Sequence, residues 1–112
     1  MKKLEWVLAC RHRPRMCDGV EVTKENGCFT IYRYIDDWDE EGDSIYEVEE
    51  YLTDIPEQEI KTAIGTNQDT SVIQWIKAHL IKKESNSIDA IADYFETHQI
   101  SYSHERNGYK IK

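Results

Sequence analysis

The chain has 112 residues, of which 39% are hydrophobic and 32% are charged. This length suits a single domain with one modest core and leaves little room for a deep substrate cleft as well. Seven Tyr and three Trp exclude a chain that is kept disordered by excess charge. The sequence therefore predicts one folded domain over residues 1–112.

The N-terminus and the cysteines bear on the cellular compartment. Met1-Lys2-Lys3 followed by Val7-Leu8-Ala9-Cys10 imitates an export signal, but the apolar stretch is short and Glu5 interrupts it. No stretch approaches the roughly 20 apolar residues of a membrane-spanning helix. The chain has three cysteines, Cys10, Cys17 and Cys28. Because their number is odd, they cannot all form disulfides within one chain. We expect a cytoplasmic protein with free thiols and no membrane contact.

The net charge of −8 is concentrated in the middle of the chain. Residues 1–35 carry a net charge of +3, residues 36–69 carry −12, and residues 70–112 carry +1. An acidic segment of this kind repels nucleic acid and attracts basic protein surfaces. The charge distribution therefore favours a basic protein as the partner and disfavours direct binding to nucleic acid.

The first residues show the pattern of an antiparallel meander. Residues 4–10 alternate as a strand, and the basic stretch 11–15 then contains a proline that a central strand does not tolerate. A short strand over 20–24 precedes Asn26-Gly27, a dipeptide that suits the positive φ angles of a tight hairpin turn. We predict that the chain returns as a strand over 28–35.

An acidic loop is predicted over residues 36–43, and the segment after it fits two structures. Ser44 with Glu47 makes the capping box of a helix. The Ile, Tyr and Val residues of 44–52 instead favour a strand with an alternating face. We predict a strand, which continues the meander past the acidic loop.

The second half is predicted to hold two or three helices. Asp54-Ile55-Pro56 opens a short helix that ends at Gly65. Asp69–Ser71 are expected to cap a longer helix, and Ser87 the next one. Asn107-Gly108 then predicts the turn of a C-terminal hairpin, formed by 100–105 and 109–112. The predicted fold class is α+β, an N-terminal antiparallel β-meander followed by helices and a C-terminal β-hairpin.

No motif predicts an enzyme, because the sequence has neither a nucleophile elbow nor a glycine-rich phosphate loop. Zinc-type ligands are present at Cys10, His12, Cys17 and Cys28. Their Cys-x-His-x4-Cys spacing matches no standard zinc knuckle, and single buried cysteines commonly act as small hydrophobes. We expect no catalytic residue, metal ion or cofactor, and keep a small zinc or thiol protein as one alternative.

A second alternative is a winged-helix DNA-binding protein. The predicted order helix, helix, hairpin over 70–112 is that of a winged helix, with Arg106 and Lys110 on the wing. Against it, the last helix would present acidic side chains to the phosphates, namely Asp89, Asp93 and Glu96.

The leading interpretation is a non-enzymatic protein-binding module that docks residues 36–50 on the basic surface of a larger protein. Trp38 and Tyr46 would supply apolar contact, and the carboxylates would set register and speed the encounter. The predicted partner-binding residues are Asp36, Asp37, Trp38, Asp39, Glu40, Glu41, Asp43, Tyr46, Glu47 and Glu49. Short, acidic, compact proteins without catalytic residues are similar in kind to phage and mobile-element inhibitors of host defence. That similarity implies an acidic surface that mimics nucleic acid and occupies the nucleic-acid-binding groove of a host protein.

Overall fold

The computed structural model describes residues 3–82 and 86–110, without the side chains of Arg13, Ser44, Tyr109 and Lys110. Its strands are β1 (Leu4–Arg13), β2 (Met16–Glu25), β3 (Cys28–Trp38), β4 (Ser44–Pro56) and β5 (Ser103–Lys110). Between β4 and β5 lie α1 (Glu57–Ile64), α2 (Asp69–Ala78) and α3 (Asp89–Thr97). The strands form one antiparallel sheet in the order β1-β2-β3-β4-β5. The predicted α+β class, with a meander before the helices, is confirmed.

The meander follows from local signals in the sequence. Asn26 and Gly27 take φ angles of 55° and 76°, which is the left-handed turn conformation that this dipeptide favours. Along β3, Phe29 and Ile31 are buried while Tyr32 is half-buried on the opposite face. The ambiguous segment 44–52 is a strand, as predicted, and it continues as β4 to Pro56.

The first hairpin is longer than predicted. The expected break over 11–15 is only a tight turn at Pro14 and Arg15, because β1 runs to Arg13 and β2 begins at Met16. Charged residues of the two strands form hydrogen bonds with each other, which lets both strands continue through this segment. Arg11 donates from Nε and Nη2 to the two carboxylate oxygens of Asp18, at 3.2 and 3.0 Å. The sequence pattern of a single strand does not reveal such pairing between strands.

The helix starts differ from the predicted caps in one case. Gln68 is the N-cap of α2, without a side-chain hydrogen bond, so the prediction that Asp69–Ser71 cap this helix is wrong. Asp69 instead receives hydrogen bonds from Lys24 and forms an ion pair with Lys61. The Ser87 hydroxyl does accept a hydrogen bond from the backbone N–H of Asp89 at 3.2 Å.

The C-terminal β structure is a strand of the main sheet. Asn107 pairs with Glu49 and Gly108 with Val48, so the turn predicted at Asn107-Gly108 does not form. Neither residue has a positive φ. Pairing along β4 supplies the hydrogen bonds that a hairpin would have formed within the segment itself. The last residues of the predicted hairpin, 111–112, lie outside the described residues.

The core lies between the three helices and one face of the sheet, called here the inner face. Its fully buried members include Val22, Phe29, Ile31, Leu52, Ile60, Ile76, Ile91 and Phe95. The inner face also holds a buried ion pair, since Arg33 Nη1 lies 3.0 Å from Glu50 Oε1. The other face of the sheet, called the outer face, is formed by the alternate residues of the same strands.

Candidate functional site

The outer face of the sheet is acidic, whereas the inner face carries charges of both signs. Residues that pair directly across antiparallel strands lie on the same face, so the register assigns every strand residue. The acidic residues of the outer face are Glu5, Glu21, Glu25, Asp36, Glu47, Glu49 and Glu105. The strand lysines and arginines with described side chains all belong to the inner face: Arg11, Lys24, Arg33 and Arg106. Within the strands so described, no lysine or arginine side chain lies on the outer face.

Most inner-face cations are already engaged. Arg11 binds Asp18, and Arg33 binds Glu50. Lys24 Nζ lies 2.6 Å from Glu57 and 3.0 Å from Asp69. On the outer face, Glu5 forms an exposed ion pair at the start of the sheet, where Lys3 Nζ lies 3.5 Å from its carboxylate oxygen. The inner-face cations Arg11, Lys24 and Arg33 are therefore paired with carboxylates of the inner face and the helices.

A strip of tyrosines crosses the outer face. The Tyr51 and Tyr32 rings stack at 4.8 Å between centroids, and the Tyr32 and Tyr34 rings at 5.7 Å. Tyr34 extends over Gly19, where a Cβ would lie 2.5 Å from the phenol oxygen, so only glycine fits at that position. The phenol oxygen of Tyr34 reaches to 3.9 Å from the Cys10 sulfur. The strip, defined as Tyr51, Tyr32 and Tyr34, is a stack of aromatic rings among carboxylates.

The phenols of the strip stay protonated at neutral pH. Burial, followed by the negative charge of Glu49, raises the pKa of Tyr32 to about 12. Burial and a hydrogen bond with Cys10 raise the pKa of Tyr34 to about 12. Tyr51 donates from its hydroxyl to Glu49 Oε2 at 3.4 Å. The strip is therefore neutral, and it helps to hold one of the carboxylates.

A small pocket opens where the strip meets the carboxylates; it is called the outer-face pocket. Its volume is about 240 Å³. Its lining residues are Cys17, Tyr32, Tyr34, Ile35, Asp36, Glu47, Val48 and Glu49. Burial, then the neighbouring negative charge of Asp36, raises the pKa of the Cys17 thiol. At neutral pH the thiol is uncharged, so the pocket combines carboxylates with neutral rings and a neutral thiol.

The acidic loop between β3 and β4 is held by one of its own side chains. Asp39 Oδ1 accepts hydrogen bonds from the backbone N–H groups of Glu41 and Asp43, both at 3.0 Å. The backbone N–H of Asp39 donates to the Asp43 carbonyl at 2.9 Å. Oxygens from these three carboxylates lie within 4.8 Å of one another. The internal hydrogen bonds explain this closeness as the geometry of a tight loop.

Trp38 lies at the tip of the sheet, beside a larger and shallower pocket of about 600 Å³. Its backbone N–H donates to the Arg15 carbonyl at 2.9 Å, and its ring meets the His12 ring edge-on at 6.3 Å between centroids. Arg15 also lies 3.3 Å from an oxygen of Glu40. The tip therefore joins the first turn to the acidic loop, and it carries charges of both signs.

The structure divides the predicted partner-binding residues among three places. Asp36, Glu47 and Glu49 lie together on the outer face. Asp37 and Tyr46 pair with each other at inner-face positions. The remaining predicted residues lie in the loop and at the tip: Trp38, Asp39, Glu40, Glu41 and Asp43.

Seven outer-face residues escaped the sequence prediction: Glu5, Glu21, Glu25, Tyr32, Tyr34, Tyr51 and Glu105. The alternation of β3 contained part of this signal, since Tyr32 and Tyr34 alternate with the buried residues Ile31 and Arg33 along the strand. The missing information was the register, which places residues from five strands side by side.

Three of the zinc-type ligands are neighbours on the outer face, since His12 pairs with Cys17 and Cys10 lies two residues before His12 on β1. Among the described residues, however, the ligand atoms that converge within 4.8 Å are those of the acidic loop, and Cys28 is remote from the other cysteines. Cys17 pairs with Asp36 at one end of β3, whereas Cys28 begins the strand at the other end. Eight residues of extended chain separate the two positions along the strand, which is roughly 26 Å. Cys10 and Cys28 do not lie on neighbouring strands, because β2 lies between β1 and β3.

The C-terminal segment lacks the wing of a winged helix. β5 joins the main sheet through β4, and Arg106 lies at an inner-face position opposite Glu50. The side chain of Lys110 is outside the described part of the structure. Asp89, Asp93 and Glu96 are exposed on α3, where they would oppose phosphates.

Among the described residues, no helix is long and apolar enough to cross a membrane. In comparisons with protein-family models, curated proteins and solved structures, nothing matched this chain.

Proposed function

We propose that this protein is a non-enzymatic binding module that docks the outer face of its sheet on a basic surface of a larger protein. The observation that carries the proposal is that the strand lysines and arginines with described side chains all lie on the inner face, while carboxylates lie on both faces. Seven carboxylates share the outer face with three stacked tyrosines, while the described strand cations lie on the inner face.

Carboxylates and tyrosines contribute in different ways to the rate and the free energy of binding at such an interface. A continuous negative field speeds diffusional encounter with a positive surface and disfavours wrong partners. Tyrosines bury a large area at a small cost in side-chain entropy and are enriched at the centres of protein interfaces. Because Tyr46 lies on the inner face, the tyrosine strip replaces it as the apolar contact in this proposal.

A nucleic-acid-binding groove is the kind of basic surface that this face would fit. Rows of carboxylates on a flat sheet resemble the phosphates that such a groove normally binds, and they repel nucleic acid itself. Inhibition of a host-defence protein, as phage and mobile-element inhibitors achieve it, is the biological role that we propose for this interaction.

The test compares variants in which carboxylates are neutralised without loss of volume. The outer-face variant carries Glu21→Gln, Asp36→Asn, Glu47→Gln, Glu49→Gln and Glu105→Gln. The control carries Asp89→Asn and Asp93→Asn on α3, at exposed positions away from the sheet. Each tagged protein is passed through nuclease-treated bacterial lysate, and the captured protein is then purified for kinetic measurements.

We expect the wild type and the control to retain the same partner at low salt and to release it at high salt. The association rate with the purified partner should fall steeply as salt rises, and the outer-face variant should not bind. Equal binding by the outer-face variant would refute the proposal. Capture that disappears after nuclease treatment would instead point to the C-terminal DNA-binding alternative.

A further inference from the structure

We propose that β1, at the edge of the sheet, pairs antiparallel with β1 of a second copy of this chain. The inference goes beyond the proposed function, because it concerns an edge of the sheet and not the outer face. Among the described residues, β2 is the only strand beside β1, so the other edge of β1 is open. An open strand edge is a template for pairing with another chain.

The side chains along this edge are compatible with pairing. Val7 lies on the outer face of β1, and it is 65% exposed. Strands that stay unpaired at an edge commonly carry lysine or another charged residue at such a position. A β-branched residue instead favours a strand with neighbours on both sides. The middle of β1 therefore lacks the charge that would oppose a second strand.

A β-bulge in β1 sets the register of the proposed pair. The pairing with β2 shifts by one residue between Val7 and Ala9. In a regular strand, residues 7 and 10 lie on opposite faces, but here Val7 and Cys10 both pair with outer-face residues of β2. Two copies of β1 can therefore pair along all ten residues, Leu4–Arg13, with each residue opposite one from the same face. The two bulges meet at the two-fold axis, so neither strand gains a residue over the other.

The cross-strand pairs of this register are complementary. On the outer face, Val7 lies opposite Cys10 of the second copy, and Glu5 lies opposite His12. An apolar side chain thus meets a thiol, which behaves as a small hydrophobe, and a carboxylate meets an imidazole that can donate to it. Directly opposed like charges destabilise a strand pair, and this register opposes none.

The edge at β5 does not offer the same match. Its pairing with β4 shows no register shift, so self-pairing over Ser103–Lys110 would set residues of opposite faces against each other. Pairing of β1 with β5 would leave a free edge on each copy and extend without closing. A β1–β1 pair closes after two copies. It also joins two acidic outer faces into one surface, because its two-fold axis is perpendicular to the sheet.

Analytical ultracentrifugation of the full chain over a concentration series tests the pairing. Because one edge strand buries a small area, we expect a weak dimer with a Kd of about 10–100 μM. Val7→Lys should raise this Kd by about tenfold or more, because a charge at a strand edge opposes pairing. Ser103→Lys is the matched control, with the same added charge at the β5 edge, and it should leave the Kd unchanged. A mass of one chain, 13.2 kDa, at about 1 mM protein, or equal effects of the two lysines, would overturn the inference.

Cross-linking tests the register. Directly opposite residues of antiparallel strands have Cα atoms about 4.5–5.5 Å apart, a distance that a disulfide spans. Val7→Cys should therefore form an intermolecular disulfide with Cys10 by thiol exchange with oxidised glutathione, which is reduced to the thiol. Positions 7 and 10 of one chain are roughly 10 Å apart along the strand, too far for a bridge within the chain. A non-reducing gel should show the covalent dimer.

Two variants control the cross-linking. Glu5→Cys places a thiol on the same face of the same strand but opposite His12, so it should give little covalent dimer. Val7→Cys combined with Cys10→Ser should give none. Equal cross-linking by Val7→Cys and Glu5→Cys, or a dimer that persists after Cys10→Ser, would overturn the proposed pairing. The proposed function would survive those results, since it fails only if the outer-face variant still binds the partner protein.

Discussion

Glu49 and Glu50 are neighbours in the chain, yet the two faces of the sheet treat them in opposite ways. Glu50 is 2% exposed, and its two oxygens lie 3.0 Å from Arg33 and 2.7 Å from His104. Glu49 is exposed on the outer face, where its described partner is the hydroxyl of Tyr51. The inner face thus holds Glu50 in close contact with Arg33 and His104, whereas Glu49 on the outer face is directed at solvent.

The largest effect is expected from breaking the inner-face pair. Glu50→Ala leaves the Arg33 guanidinium buried without its carboxylate and should cost about 3–5 kcal/mol in the free energy of unfolding. Urea denaturation monitored by tryptophan fluorescence measures this cost. Glu49→Ala is the control one residue away, and it should change the free energy by about 0.5 kcal/mol or less. Equal effects of the two substitutions would contradict the contrast between the faces.

A second prediction concerns the glycine under the tyrosine strip. In Gly19→Ala the new Cβ would lie 2.5 Å from the Tyr34 oxygen and 2.8 Å from the Ala9 carbonyl oxygen. Relief of this overlap must move the ring, the strands or both, at a cost of about 1–3 kcal/mol. Gly108→Ala is the matched control, because its Cβ would meet its nearest neighbours at 3.4 Å. Thermal unfolding of the two variants should separate them clearly, and equal melting temperatures would argue against the packing of Tyr34 over Gly19.

The ion network that ties the helices to the inner face should make stability depend on pH. Hydrogen bonds from Lys24 and Lys61 lower the pKa of Glu57. Burial alone would raise the pKa of Asp69, but hydrogen bonds from Lys61 and Lys24 reverse this effect and lower it. Because both pKa values are lower in the folded state, their stabilisation is present above the ordinary values near 4 and is lost as the pH falls through the folded-state values.

Asp69→Asn tests this network. The substitution should cost about 1–2 kcal/mol at pH 7, since a charge-assisted hydrogen bond is lost, and should cost progressively less as the pH falls below about 4. Urea denaturation at a series of pH values gives the comparison, with Asp89→Asn on the exposed surface as the control. A cost that stays constant down to pH 2 would contradict the assignment of the network.

The smallest effect should have the opposite sign. Asp36→Asn removes a charge that directly faces Glu47 on the outer face and should raise the free energy of unfolding by about 0.5 kcal/mol at low salt. High salt should abolish the gain, because it screens the repulsion. If the same variant also weakens binding to the partner, the outer face gives up stability for function. A loss of stability would instead show that Asp36 has a structural role.

Several elements were predictable because their signals are local. The Asn26-Gly27 turn, the alternation of β3 and the start of α1 at Pro56 each depend on a few adjacent residues. The choice of a strand for 44–52 was also correct, since β-branched and aromatic residues there met a buried face. The lengths of β1 and β2 were underestimated, because Arg11 and Asp18 look like loop residues until they are paired.

The sequence by itself determined the acidic character of the protein, its α+β class and the order of its elements, because composition and short-range periodicity carry that information. Only the tertiary structure decided which charges share a surface. A one-residue shift in register would exchange the two faces of a strand, and register depends on contacts between distant segments. Pairing of β5 with β4 likewise replaced the predicted turn at Asn107-Gly108 with strand. The separation of charge between the faces therefore arises when five strands align, and no single segment contains it.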